Sequence, residues 1–162
     1  MPSKRWLVIL LNIIKMNEIR VYNAVNRMSQ LQKLEIVEFL FTNLDPYGDE
    51  KNDIKAAIEF ATKEITSFGG FVVTCNDENE ITGAVVVNHT GMSGYIPENI
   101  LVYIATKIEA RGKGVGKKLM ETVLDHEKGY IALHVEANNP AKFLYEKYGF
   151  KNPYLEMRLK RN

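Results

Sequence analysis

Hydrophobic residues recur at a helical spacing in two stretches of the first half of the chain. Residues 30–44 carry apolar side chains every three or four positions, which predicts an amphipathic helix that the polar segment 45–49 ends. The apolar positions of this helix are Leu31, Leu34, Val37, Leu40 or Phe41, and Leu44. A second helix is expected directly afterwards, with Asp53 as its N-cap. Its expected buried face consists of Ile54, Ala57, Ile58, Ala61 and Ile65.

Strand-forming residues precede these helices and dominate the middle of the chain. A short strand is expected at 19–22. After two glycines, residues 71–75 and 80–87 predict a β-hairpin that turns through a four-residue loop. Residues 100–105 are almost all apolar, a pattern typical of a strand that is buried on both faces.

The last third of the chain alternates helices with strands. The expected elements are a helix at 115–127, a strand at 131–136, a helix at 140–148 and a final strand at 154–160. Asn139 followed by Pro140 fits an N-cap and the first position of a helix. The resulting order, β-α-α-β-β-β-α-β-α-β, predicts one α/β or α+β domain over residues 1–162 with at least one right-handed βαβ crossover.

An apolar run at residues 6–14 follows Lys4 and Arg5 near the start of the chain. The two basic residues and the apolar run resemble the charged and apolar regions of a signal peptide, but no small-residue cleavage site follows. A membrane-spanning helix needs about 20 apolar residues. We therefore expect an additional buried strand or short helix here, and no membrane association. Alternatively, Met16 is the native start and residues 1–15 are an apolar extension.

Charge and composition argue against several classes of function. Lys plus Arg number 21 and Asp plus Glu number 20, so the formal net charge of +1 gives no broad basic surface for nucleic acid. Cys75 is a single cysteine, and the three histidines have no metal-ligand spacing. These features predict a cytoplasmic protein without an intrachain disulfide, a metal site or a nucleic-acid partner.

The segment 111–118, Arg-Gly-Lys-Gly-Val-Gly-Lys-Lys, leaves an apolar strand and opens an amphipathic helix. Alternating glycines let backbone N–H groups turn towards an anion, and a helix N-terminus adds unpaired N–H groups and the positive end of the helix dipole. Four basic side chains strengthen this field. The segment therefore predicts a site for a phosphate or pyrophosphate, and a solvated turn without a ligand is the alternative.

Two common nucleotide-binding motifs do not fit this segment. The P-loop motif requires Ser or Thr after its Gly-Lys pair, but Lys118 follows Gly116 and Lys117. The dinucleotide-binding motif, counted from Gly112, requires a third glycine where Lys117 stands. An ATP- or NAD-dependent enzyme is therefore disfavoured.

Two segments match a single known family in order and in separation. Arg111-x-x-Gly114-x-Gly116 has the form (Arg/Gln)-x-x-Gly-x-(Gly/Ala). Leu133 opens a second segment, which continues as Asn139-Pro-Ala-x-x-Leu-Tyr-Glu-Lys-x-Gly-Phe150. The two resemble the CoA-contacting segments of the GNAT family of acyl-CoA-dependent N-acyltransferases. The resemblance covers roughly residues 70–160.

The resemblance implies a mixed, mostly antiparallel central sheet of about 6–7 strands, with helices on both faces and with splayed strands 4 and 5. The family commonly ends with two strands, whereas only about ten residues follow Phe150. The acceptor pocket is then open on that side, or it is completed by a neighbouring subunit in a homodimer.

The resemblance also implies acetyl-CoA as the cofactor and a small-molecule or peptide amine as the acceptor. Backbone groups of the fourth strand would hold the pantetheine arm, the glycine segment would hold the pyrophosphate, and an asparagine before the last helix would bond the cofactor arm. The cofactor-binding residues expected on this basis are Ile104, Ala105, Thr106, Arg111, Gly112, Lys113, Gly114, Val115, Gly116, Lys117, Asn138, Asn139, Ala141 and Tyr145.

The resemblance assigns the chemical step to two residues. Tyr145 stands where the family has the tyrosine that donates a proton to the departing CoA thiolate, and an ordinary pKa near ~10 keeps it protonated at neutral pH. A buried structural tyrosine is the alternative. A general base must take a proton from the acceptor amine, and water relayed through Glu136 is the expected route. His134, on the same strand face, and Glu109 are the other candidates.

The acceptor side is expected between the first two helices, where this family often shapes its acceptor site. The acidic residues clustered there are Asp45, Asp49, Glu50 and Asp53. They would favour a cationic acceptor such as a polyamine, an aminoglycoside or a peptide amino group, or they form a solvated turn. Met92 and Tyr95 are further candidates for the pocket wall. A non-catalytic acyl-CoA sensor of the same fold is the alternative to an enzyme.

Overall fold

A single five-stranded sheet runs through the residues that the computed structural model describes, 17–161. In chain order the elements are β1 (Glu18–Tyr22), α1 (Gln30–Leu44), α2 (Lys51–Ala61), β2 (Gly70–Asp77), β3 (Glu80–His89), β4 (Asn99–Thr106), a 3₁₀ turn (Ile108–Ala110), α3 (Val115–His126), β5 (Ile131–Leu133) and α4 (Lys142–Lys147). The strands are ordered β1-β2-β3-β4-β5 across the sheet. Neighbours are antiparallel except β4 and β5, which are parallel.

Helices cover both faces of this sheet, as the predicted fold class requires. On one face, α1 and α2 pack on Val72, Ala84 and Val86. On the other face, α3 and α4 pack on Phe71, Val73, Val85 and Val87. Because neighbouring residues of β2 and β3 alternate between the two cores, both strands are apolar on each side.

The first two helices were predicted in place, but their buried faces and caps differ. Ser29 begins α1 with a capping box, since its side chain accepts from the Gln32 N–H while the Gln32 side chain accepts from the Ser29 N–H. Residues at the buried face of α1 are Lys33, Ile36, Val37 and Leu40. The expected Leu31 and Leu34 are exposed instead. Lys33 is buried because Glu59 and Glu64 pair with its ammonium group.

The N-cap of α2 is Glu50, so Asp53 lies in the first turn of the helix and the predicted cap was wrong. A carboxylate in the first turn still suits the positive end of the helix dipole. Ile54, Ile58 and Ala61 are buried as expected, whereas Ile65 lies beyond the end of α2 and is exposed.

The hairpin between β2 and β3 is tighter than expected. Asp77 pairs directly with Glu80, which leaves two residues in the turn instead of four. Glu78 has a φ of 56°, the left-handed conformation that tight hairpin turns require.

A β-bulge in β4 controls which way its side chains point. Val86 pairs with Tyr103 but Val87 pairs with Leu101, so Val102 is the extra residue. Leu101 therefore packs on the α3 face while Tyr103 packs on the α1–α2 face. In a regular strand, side chains two residues apart, such as Leu101 and Tyr103, would point to the same face of the sheet. Strand β4 thus packs on both cores, as predicted, although every second residue from Ile100 is only half-buried.

Strand β5 is short, and the sheet ends with it in the described part of the chain. Only Ile131–Leu133 pair with β4, so the predicted strand at 131–136 is half as long as expected. Residues 154–160 form no strand, and every one of them is exposed. The described sheet thus has five strands, fewer than the 6–7 expected.

The last helix is also shorter than predicted. It runs Lys142–Lys147 and its N-cap is Ala141. The Asn139 side chain instead accepts from the Ala141 N–H at 2.9 Å, in the turn that leads into the helix. The apolar run 6–14 and Met16 lie outside the described residues. Among residues 17–161, no helix is long and apolar enough to cross a membrane.

Close packing between β3 and α3 yields a stability prediction. A Cβ atom at Gly83 would lie 2.5 Å from Val115 Cγ1 and 2.9 Å from Leu119 Cδ1, both in buried side chains. We expect Gly83→Ala to lower the free energy of unfolding by about 1–3 kcal/mol, because overpacking forces these residues apart. Urea unfolding measures the change. Gly116→Ala is the matched control, since its Cβ would meet only ordinary contacts at 3.5 Å or more. Equal stability of Gly83→Ala and the parent would contradict the packing described here.

Candidate active site

A cleft opens where β4 and β5 separate. The two strands pair from Asn99 to Leu101 and from Ile131 to Leu133, and then diverge. The cavity between them has a volume of about 910 Å³. Residues 100–106 line one wall, and residues 134–136 and 139–141 line the other. Beyond Leu101, the edge of β4 that faces this gap has no strand partner among the described residues.

The cleft passes from one face of the sheet to the other. Its lining includes Arg111 and Gly112, which precede α3. It also includes residues 43–47 and Asp49, from the end of α1 and its connection to α2. Helix α3 packs on one face of the sheet, and helices α1 and α2 pack on the opposite face. A ligand at one end can therefore meet a second ligand at the other end through the gap between the strands.

The glycine segment forms the end of the cleft on the α3 side. Gly112 and Gly114 have φ values of 73° and 83°, in the left-handed region, and a Cβ at either position would meet nothing within 4 Å. In the described part of the chain, the N–H groups of residues 114–117 have no hydrogen-bond acceptor. Lys113 and Lys117 are exposed beside them. Unpaired N–H groups, the helix dipole and these cations together can hold a phosphate group.

The structure brings many of the predicted cofactor residues to the cleft and leaves others outside it. The predicted residues that line it are Ile104, Ala105, Thr106, Arg111, Gly112, Asn139, Ala141, Tyr145 and Glu136. Those outside its lining are Lys113, Gly114, Val115, Gly116, Lys117 and Asn138. Residues 113–117 continue from Gly112 at the mouth. The Val115 side chain is buried in the core, so this residue offers a ligand only its backbone.

Asn138 is exposed, and its carbonyl oxygen is 3.4 Å from the Tyr47 hydroxyl, which donates to it. Tyr47 belongs to the α1–α2 connection, so this contact joins the two walls of the cleft. Asn139 lines the cleft, but its side-chain oxygen already accepts from the Ala141 N–H. The predicted N-cap role of Asn139 was wrong, since Ala141 is the N-cap of α4, and the amide nitrogen of Asn139 is the group available to a ligand.

Tyr145 is a buried tyrosine in the wall of the cleft. Its side chain packs in the α3-face core, where its ring centroid is 5.9 Å from that of Phe150. The residue is only 7% exposed, and its hydroxyl makes no hydrogen bond within residues 17–161. Burial raises its pKa to about 12. The hydroxyl therefore holds its proton at neutral pH and has that proton available for a ligand.

Glu136 and His134 both line the cleft, and both are exposed. His134 Nε2 lies 3.5 Å from Glu156 Oε1, so this ring has a carboxylate neighbour. Glu136 has no ion-pair partner within residues 17–161. Glu109 lies in the 3₁₀ turn and does not line the cleft. Of the three base candidates, Glu136 is the unpaired carboxylate at the cleft.

A tyrosine–aspartate pair forms the other end of the cleft. The Tyr103 hydroxyl donates to Asp49 Oδ2 at 2.7 Å. Tyr103 is 8% exposed, and burial together with this bond raises its pKa well above the ordinary value. Sequence analysis did not single out Tyr103, because it sits within an apolar run and the bulge that turns it towards Asp49 has no signal in the sequence.

The rest of the acceptor-side prediction holds only in part. Asp45 and Asp49 line the cleft, while Glu50 and Asp53 belong to the start of α2. Met92 and Tyr95 do not line it, and Tyr95 is largely exposed. Instead, the C-terminal tail contributes Glu156 and Arg158, which form an ion pair with each other. The cleft is thus bordered by the tail on the side where a further strand was expected.

Comparisons with known proteins agree with this architecture. The chain is 28% identical over 108 residues to a glucosamine 6-phosphate N-acetyltransferase of Arabidopsis thaliana. The alignment covers 59% of this chain and 69% of the relative. The crystal structure of PH1933 from Pyrococcus horikoshii has a TM-score of 0.61 at 25% identity, covering 83% of this chain and 89% of that one.

A GNAT-family acetyltransferase of Streptococcus pneumoniae superposes with a TM-score of 0.64 over 90% of this chain and 98% of its own, at 14% identity. This likeness concerns the fold alone. The sequence profile described as "Acetyltransferase (GNAT) domain" matches residues 68–152, just over half of the chain. The match spans β2 to α4 and so contains the glycine segment, both walls of the cleft and Tyr145. The protein belongs to the GNAT family of acetyltransferases.

Proposed function

We propose that this protein transfers an acetyl group from acetyl-CoA to a primary amine of an acceptor molecule. The observation that carries the proposal is the cleft itself. It runs through the sheet from a helix N-terminus with unpaired N–H groups, past the buried Tyr145, to a carboxylate-lined end on the opposite face. Two ligands entering from the two faces would meet between β4 and β5.

The residues of the cleft fit acetyl-CoA. The N–H groups of residues 114–117 and the cations Arg111, Lys113 and Lys117 suit a pyrophosphate. The unpaired edge of β4 at 102–106 offers backbone groups to an extended, amide-containing arm. When bound, acetyl-CoA supplies the acetyl group as an activated thioester. The aliphatic lining, with Ile104, Val135 and Leu144, suits the methylene groups of such an arm.

Tyr145 is the proposed general acid. Its hydroxyl has no partner in the described protein and keeps its proton because burial raises its pKa to about 12. A tyrosine in this state donates the proton as negative charge develops on a neighbouring atom, here the leaving sulfur. The reaction forms one C–N bond and breaks one C–S bond, and the proton from Tyr145 ends on the sulfur.

Glu136 is the proposed general base, acting through a water molecule. The acceptor amine attacks only in its neutral form, so a proton must leave it before or during attack. Glu136 is an exposed carboxylate in the cleft wall, and its exposure admits the water that would carry the proton. The Arabidopsis relative is named for glucosamine 6-phosphate, which carries a primary amine and is therefore one acceptor to test.

Calorimetric titration with acetyl-CoA, CoA, ATP and NAD tests the proposed cofactor. We expect micromolar binding of acetyl-CoA and CoA only, followed by thiol release when acetyl-CoA is mixed with an accepted amine. Binding of ATP or NAD with no binding of CoA would overturn the cofactor assignment. Binding of acetyl-CoA without transfer to any amine would instead favour an acyl-CoA sensor.

The glycine segment can be tested by a pair of matched substitutions. Gly114 and Gly94 have φ values of 83° and 76°, and a Cβ at either position meets nothing within 4 Å. The backbone strain of Gly114→Val and Gly94→Val is therefore similar. We expect Gly114→Val to weaken CoA binding about tenfold or more, because the side chain stands where the pyrophosphate approaches the backbone. Gly94→Val should leave the affinity unchanged, and equal affinities for both variants would remove residue 114 from the cofactor site.

The role of Tyr145 can be separated from that of its neighbours. We expect Tyr145→Phe to lower kcat by roughly 10²-fold or more while the affinity for acetyl-CoA stays the same. Tyr148→Phe is the control, since that hydroxyl donates to the Lys117 carbonyl oxygen and does not line the cleft. Steady-state rates and calorimetry on both variants supply the measurements. A Tyr145→Phe enzyme as fast as the parent would make Tyr145 a packing residue only.

A further inference from the structure

Strand pairing holds the two walls of the cleft together only as far as Leu101 and Leu133 in the described part of the chain. Beyond β5 the wall continues as residues 134–139, which end in a turn where the Asn139 N–H donates to the Glu136 carbonyl oxygen at 3.0 Å. Among the described residues, the hydrogen bonds of this segment stay in the turn or reach the start of α4, with one exception. The position of Glu136 therefore depends on what restrains the turn.

The exception is a contact that crosses the cleft from the α1–α2 connection. The Tyr47 hydroxyl donates to the Asn138 carbonyl oxygen at 3.4 Å, a long contact of the kind that often shortens in active sites once substrates bind. The Asn138 carbonyl and the Asn139 N–H belong to one planar peptide group. Tyr47 therefore holds one side of the peptide whose other side donates to the Glu136 carbonyl oxygen. Through this single rigid group, Tyr47 restrains the residue that begins the turn.

The α1–α2 connection is itself fixed to the other wall of the cleft. Asp49, two residues after Tyr47, accepts from the Tyr103 hydroxyl of β4 at 2.7 Å, and the Tyr103 ring packs in the core beneath α1 and α2. The connection also lies closely against the end of α1. The Tyr47 N–H donates to the Leu44 carbonyl oxygen at 2.7 Å, and a Cβ at Gly48 would lie 2.7 Å from Leu44 Cβ. The connection therefore reaches the wall after β5 from a fixed position.

We propose that Tyr47 is a positioning residue that holds Glu136 in the cleft wall, and that the bond between Tyr103 and Asp49 keeps Tyr47 in place. This inference rests on the proposed acetyl transfer, in which a water molecule relays the proton of the acceptor amine to Glu136. The relay requires the carboxylate within hydrogen-bond distance of that water, so a rotation of the turn slows the chemical step. Together the two bonds link β4 to the wall after β5 where strand pairing has stopped.

A double-mutant cycle tests the link between Tyr47 and Glu136. Tyr47→Phe keeps the ring and removes only the hydroxyl, and we expect it to lower kcat about two- to tenfold, the effect of losing one hydrogen bond. In a Glu136→Gln enzyme the same substitution should have no further effect, because residue 136 no longer accepts the proton. Thiol release from acetyl-CoA measures kcat, with glucosamine 6-phosphate or another amine that the parent enzyme acetylates. Tyr95→Phe is the control, since that tyrosine is largely exposed and lies outside the cleft lining.

Amide hydrogen exchange, followed by NMR, tests the two bonds without any reaction. The Asn139 N–H should exchange about two- to tenfold faster in Tyr47→Phe than in the parent, because its peptide group loses a restraint. Tyr103→Phe should have the same effect, although Tyr103 belongs to the opposite wall of the cleft. Tyr95→Phe should leave this exchange unchanged. The amides of β5 are the internal reference, and they should exchange at the parent rate in every variant.

The outcomes separate this inference from the proposed function. Exchange at Asn139 that is unchanged in Tyr47→Phe or in Tyr103→Phe overturns the inference while acetyl transfer stands. Faster exchange throughout β5 does the same, because it shows a general loss of stability. A drop in kcat that Tyr47→Phe causes equally in the parent and in Glu136→Gln also overturns it, since Tyr47 then acts independently of Glu136. If acetyl-CoA does not bind and no amine is acetylated, the proposed function itself fails, even where the exchange data show both bonds.

Discussion

The separation of β4 from β5 is the constraint on which the rest of the structure depends. Parallel pairing of β4 with β5 lasts three residues, up to Leu101, and the bulge in the pairing of β4 with β3 follows at Val102. Continued pairing would close the sheet and remove the cleft. Because the bulge changes the direction of the following side chains, Tyr103 faces α1 and α2 while Leu101 faces α3. One extra residue thus turns the Tyr103 side chain towards α1 and α2 at the point where the cleft begins.

The two faces of the sheet present different chemical groups to the cleft. On the α3 face, backbone N–H groups and a buried tyrosine meet the cleft, and on the α1–α2 face it is bordered by carboxylates. The two sets belong to separate hydrophobic cores, which share only the strands between them. This division suits a reaction between two ligands that enter from opposite sides and must meet at one point.

Much of the fold followed from local patterns, and the failures have physical causes. The helical period located α1 and α2, and the glycine segment together with the apolar run before it located α3 and β4. The buried face of α1 was misassigned because Lys33 is buried with two carboxylate partners that are distant in sequence. The last strand was predicted at 154–160, but these exposed residues have no strand neighbour to pair with in the described part of the chain. Gly112 and Tyr145, which belong to regular motifs, were singled out from the sequence, and both line the cleft. The Tyr103–Asp49 contact was not, because it depends on a bulge.

The end of the cleft at the glycine segment is made largely of backbone, and this has an evolutionary consequence. N–H groups at 114–117 are present whatever side chains follow the glycines, so most substitutions there preserve the donors. Carboxylates at the opposite end, by contrast, come from the side chains of a connecting loop, and each is lost by a single codon change. Mutations in residues 43–49 can therefore change the carboxylate end of the cleft without altering the N–H groups at the glycine segment. Selection on the two halves of the cleft then proceeds at different rates, with the loop as the variable half.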